Sequence, residues 1–97
     1  MEQEFQSSVS RGGNIFTPEK LSINDYSVSW KKKNNIFWGS DVKTILFKNI
    51  ASIEVKEMLV GADITVSSIG TEKITARNFV AADARNIKSI IEQLAKV

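Results

Sequence analysis

Residues 44–77 read TILFKNIASIEVKEMLVGADITVSSIGTEKITAR, and this stretch decides the fold. Ala62, Ile64 and Val66 alternate with Asp63, Thr65 and Ser67. Ala51, Ile53 and Val55 alternate in the same way with Ser52, Glu54 and Lys56, and Ile74 and Ala76 with Lys73, Thr75 and Arg77. Successive strand residues point to opposite faces, so an apolar period of two describes half-buried strands. Val42–Phe47 has large residues on both faces and reads as one more strand, ended by a bend at Asn49-Ile50. Met58-Leu59-Val60-Gly61 is an apolar connection. Ser68-Ile69-Gly70-Thr71 is a turn in which Gly70 is available for positive φ.

Beyond Asn78 the period changes to that of a helix. Val80, Ala84, Ile87, Ile91 and Leu94 fall on one face, widened by Ile90. Asn78 is the expected N-cap within a residue or so, while Asp83 and Lys96 suit the two ends of the helix dipole. Upstream, Leu21–Ile23 and Tyr26–Lys32 form a hairpin about an Asn24-Asp25 turn, with Tyr26, Val28 and Trp30 on the core face. Lys31 to Asp41 is the least regular stretch and belongs at a hairpin tip. Pro18 marks a turn. Residues 1–14 are either a flexible tail or an extra strand anchored by Phe5 and Val9, and 15–97 form one domain.

Composition removes several kinds of chemistry. The chain has 97 residues, enough for one domain, with no Cys and no His. Disulfides, thiol or imidazole nucleophiles and Cys/His metal sites are therefore excluded, and no cofactor or metal is expected. The eleven acids are scattered, and Glu54, Asp63 and Glu72 take outward positions, so no carboxylate pair converges for acid/base work and the chain reads as non-enzymatic. The N-terminus is polar and acidic, unlike a signal peptide, and no apolar run reaches the roughly 20 residues of a membrane span, so the expected location is the cytoplasm. The formal charge of +2 leaves only a local patch to matter for charged partners.

Six strands joined by turns, with a possible seventh at the N-terminus, make an antiparallel meander that curls into a barrel or orthogonal pair of sheets. The helix must bury its apolar face against the open end. This order, with the Leu-Ser-Ile-Asn-Asp-Tyr-Ser-Val-Ser-Trp hairpin, the Ile-Phe-Trp-Gly tip, the Thr44–Val55 strand-bend-strand, Ala-Asp-Ile-Thr-Val, Glu-Lys-Ile-Thr-Ala and the terminal helix, resembles the bacterial pleckstrin-homology-like domains over Leu21–Leu94. The resemblance implies a mainly β fold: a barrel of two antiparallel sheets capped by a C-terminal amphipathic helix. It also implies a binding module acting through protein contacts, including self-association by edge-strand pairing. Phosphoinositide binding by the eukaryotic relatives uses lysines and arginines around the loop between the first two strands, and no alternating basic motif of that kind stands here.

Two stretches are candidate sites. Lys31, Lys32, Lys33, Lys43 and Lys48 against Asp41 give a local excess of +4, with Phe37 and Trp38 among them. Lysines beside rings suit an anionic lipid surface, and the same mixture suits single-stranded nucleic acid, the less favoured partner. The alternative is a solvated strand end with the rings folded onto the barrel. Met58, Leu59 and Val60 form an interface if exposed; the alternative is that Leu59 plugs one end of the barrel. Trp30 is expected in the core.

Overall fold

The computed structural model describes residues 2–8, 18–35 and 39–96. Among these residues seven strands precede one helix: β1 (Gln3–Gln6), β2 (Glu19–Ile23), β3 (Ser27–Asn35), β4 (Gly39–Leu46), β5 (Ile50–Glu57), β6 (Ala62–Ser68), β7 (Lys73–Phe79) and α1 (Ala81–Ala95). A 3-10 turn, Phe47–Asn49, joins β4 to β5. Strands β1-β2-β3-β4 form one antiparallel sheet and β5-β6-β7 a second. Residues 3–6 are thus a strand, pairing Phe5 with Leu21.

The alternation read from the sequence is the alternation that packs. Leu21, Ile23 and Val28 of the first sheet and Ala62, Ile64, Val66, Ile74 and Ala76 of the second are buried between the layers. Helix α1 adds Ala84, Ile87 and Ile91 and lies mainly on β5. Arg85 on its outer side pairs with Glu57 at the end of β5. Apolar burial drives this assembly, at about 25 cal/mol per Å2 removed from water.

The departures from the expected pattern each have a local cause. The hairpin turns at Asp25-Tyr26, one residue later than expected: Asn24 N–H donates to Ser27 O, and Asn24 Oδ1 accepts from the backbone N–H of Tyr26 and of Ser27. Tyr26 therefore lies in the turn and is 78% exposed instead of facing the core. A register shift between Ile50 and Ser52 leaves Ala51 exposed and turns both Ile50 and Ile53 inward. A second shift falls where β7 carries Asn78 at φ 65. Asn78 is thus a bulge residue and not the N-cap; its N–H donates to Asp63 Oδ1, Phe79 turns into the core, and Val80 caps the helix without a side-chain bond. Asn is among the few residues that enter this region readily. Gly70, by contrast, does not take positive φ, and its N–H donates to Ser68 Oγ instead. Leu94 remains half exposed beside Tyr26 and Leu46, past the part of α1 that covers β5.

Among the described residues the two sheets do not close into a barrel. No ladder joins them, and isolated bonds do: Ser8 N–H to Asn78 O at 2.8 Å, and Lys43 Nζ to Lys73 O at 3.3 Å. The Glu19 carboxylate supplies a further bridge, from β2 to β7.

A basic groove between the sheets

The inner face of the first sheet extends past the edge of the second. Val28, Trp30 and Lys32 of β3 share that face, opposite Ile45, Lys43 and Asp41 of β4 in register. Val28 and Ile45 reach the core, whereas the next two pairs fall outside it, beside β7. The result is a groove of about 420 Å3 lined by Glu19, Trp30, Lys32, Asp41, Lys43, Lys73, Thr75 and Arg77. Strand alternation builds it from two sides, since Lys73, Thr75 and Arg77 are the positions of β7 opposite to buried Ile74 and Ala76.

Glu19 organises the floor. It is 8% exposed, and its Oε1 accepts from Trp30 Nε1 at 2.9 Å and from the backbone N–H of Arg77 at 3.3 Å. Its own N–H donates to Ser7 Oγ at 3.0 Å, and its carbonyl accepts from Ser7 N–H. A buried carboxylate needs such donors, because an unpaired one is costly away from water. Trp30 packs against the core half-buried rather than enclosed, with its indole N–H satisfied. Lys43 lies across it, Nζ 5.8 Å from the ring centroid, and donates to Lys73 O at 3.3 Å. That distance is within cation–π range.

The groove carries four cationic side chains against two carboxylates, one of which, Glu19, is committed to its two donors. It offers positive charge, an aromatic surface and the edge of β7. Among the described residues no cluster of three or more acidic side chains could hold a metal ion.

The lysines singled out in the sequence do not form one patch. Strand alternation puts Lys32 in the groove with Lys43 and sends Lys31 and Lys33 to the opposite face, where they line a depression with Glu4, Pro18 and Lys20. Phe37 and Trp38 lie outside the described residues. Met58, Leu59 and Val60 form the exposed tip of the β5–β6 hairpin, held by Met58 N–H to Gly61 O at 2.7 Å. Leu59 is fully exposed there and does not plug the fold, because the four-residue turn projects beyond both sheets' buried layer. Glu19, Lys73 and Arg77 were not among the sequence candidates. The one local hint was that Lys73 and Arg77 share the outward face of the last strand.

Two facing antiparallel sheets, a C-terminal helix packed across one of them and a charged groove at their junction define a binding module of the pleckstrin-homology-like class. A family model described as "Bacterial PH domain" matches residues 30–93, well over half of the chain, and the protein belongs to that family. No curated protein and no solved structure matches it. None of the described helices is long and apolar enough to cross a membrane.

Proposed function

We propose that this domain binds a partner protein, taking an acidic, extended segment into the groove between β7 and the inner ends of β3 and β4. The observation that carries this is the gathering of Lys32, Lys43, Lys73 and Arg77 around Trp30 while Glu19 is tied down beneath them. Carboxylates of the segment would meet these cations, and its stems would cover the indole ring. Opposite charge of this kind contributes to association rate and orientation more than to raw affinity. The β7 edge adds backbone recognition. Arg77 N–H and Lys73 O point away from β6, one to Glu19 and the other to Lys43, so the backbone of Thr75 between them points the same way. A segment running along that edge would bond the main chain of Thr75 as an added strand does.

A fluorescently labelled ten-residue poly-glutamate peptide, followed by anisotropy at low and moderate salt, tests this. Lys32→Glu/Arg77→Glu should weaken binding by more than about tenfold, the equivalent of roughly 1.4 kcal/mol. Lys31→Glu/Lys33→Glu makes the same change in net charge on the opposite face and should leave most of the affinity. Equal losses from both double variants would mean that only overall charge is sensed, and the groove would then not be the site.

A further inference from the structure

We infer that residues 3–8 form a clamp that sets the width of the groove. Strand β1 docks on the first sheet, and Ser7 and Ser8 carry the chain across to the second, so that Glu19 and Arg77 are held together. The consequence for binding rests on the groove being the site; the clamp itself does not.

The groove's two walls belong to different sheets, Trp30, Lys32 and Lys43 to the first and Lys73, Thr75 and Arg77 to the second. No ladder fixes the spacing between them, so it depends on a few isolated bonds. The Lys43 bond to Lys73 O comes from an exposed side chain, for which an acidic ligand competes. The bonds at the Arg77 end are of another kind. Ser7 N–H donates to Glu19 O at 2.8 Å, one rung beyond the Gln6↔Lys20 pair. The answering bond comes from the side chain: Glu19 N–H donates to Ser7 Oγ at 3.0 Å. The hydroxyl stands in for the carbonyl that a regular antiparallel ladder would use there. Ser8 N–H then reaches Asn78 O, at the end of β7, at 2.8 Å. Asn78 adjoins Arg77, whose N–H donates to Glu19 Oε1. Ser7, Glu19, Arg77, Asn78 and Ser8 thus close a ring across the junction of the sheets.

The clamp can open because little else holds it. Strand β1 has four residues and is the outermost strand of its sheet. Its apolar anchor is Phe5, half-buried opposite Leu21. Glu4 adds an exposed contact with Ser22 Oγ at 3.4 Å and an ion pair with Lys20 at 4.0 Å, and exposed pairs of this kind contribute little. Short terminal elements open locally at a lower cost than the whole domain unfolds. Release of β1 takes Ser7 off Glu19 and Ser8 off Asn78, and leaves the Glu19–Arg77 bond alone to hold the walls at that end. A ligand that touches both walls binds the clamped form better. By reciprocity it tightens β1 on the sheet by the same factor.

Hydrogen exchange on the full chain, resolved residue by residue by NMR, is the test. Without ligand, Phe5→Ser and Ser7→Ala should each speed exchange of the Arg77 amide and the Trp30 indole by at least about fivefold more than that of the Ile64 amide in the central strand of the second sheet. A general loss of stability would move all three alike. Ser7→Thr keeps the hydroxyl and should exchange like the wild type. With the ten-residue poly-glutamate peptide at saturation, the Ser7 and Ser8 amides should slow by at least about fivefold, and Phe5→Ser should weaken peptide binding, up to that same factor where β1 is fully released. Arg77 and Trp30 rates that change no more than that of Ile64 in both variants overturn the clamp. A peptide that binds the wild type and Phe5→Ser equally well overturns its coupling to the groove. A peptide that fails to bind the wild type counts against the groove as the site, and the exchange without peptide still decides the clamp.

Discussion

Replacing Glu19 by Ala tests how the groove is tied to the fold. The substitution deletes the acceptor shared by Trp30 Nε1 and the backbone N–H of Arg77. Hydrogen bonds to a charged acceptor contribute about 1.5–3 kcal/mol, and a buried donor left without a partner costs about 1–3 kcal/mol. The rim is partly open and water can reach the indole, which brings the expected total to about 2–4 kcal/mol. Against a stability of about 5–15 kcal/mol that is a large fraction. For a domain of this size each kcal/mol moves the melting temperature by about 4–8 °C. Urea unfolding followed by circular dichroism measures the change without relying on two tryptophans. Glu19→Gln keeps an acceptor oxygen and should lose less than half as much. Combining Glu19→Ala with Trp30→Phe, which removes the donor, should show a coupling of about 1–2 kcal/mol, as expected for groups in direct contact. A loss below about 0.5 kcal/mol, the range of ordinary surface substitutions, or zero coupling would refute the role given to this carboxylate.

Two further outcomes follow from backbone and exposure. Asn78→Val places a β-branched residue at φ 65 and should destabilise by about 1–2 kcal/mol, whereas Asn78→Gly should cost less than half of that; chemical denaturation of the pair separates strain from the loss of a side chain. Leu59→Ser, at a fully exposed hairpin tip, should change stability by no more than about 0.5 kcal/mol, and a larger loss would mean that the tip packs against something.

Much of the architecture was legible because local pattern and burial agree. Ala62, Ile64 and Val66 alternate in sequence and are buried in space, and the Ala84, Ile87, Ile91 stripe is the face that meets β5. The misplacements were single-residue shifts. Tyr26, Ala51 and Asn78 sit where an Asx turn or a bulge inserts a residue, and a period of two does not register a single inserted residue. The barrel expected from strand number is two sheets bridged by isolated bonds, a matter of long-range contact that periodicity does not carry. The groove was half legible. Lys32 and Lys43 were candidates, yet strand alternation already separates Lys32 from Lys31 and Lys33, so treating the three as one patch overlooked the same period that located β3. Glu19 and Arg77 could not have been joined from sequence, since 58 positions separate them and only the junction of the sheets brings them together.

The most direct test of the groove as the binding face is a 15N-resolved NMR titration of the full chain with the acidic peptide, the Trp30 indole signal being assigned through Trp30→Phe. If the groove is the site, the Trp30 indole and the backbone amides of Lys32, Lys43, Thr75 and Arg77 shift together and saturably, while those of Lys31, Lys33 and Leu59 stay within the noise. Saturable shifts centred on Lys31 and Lys33, with Trp30 and Thr75 unmoved, would contradict it.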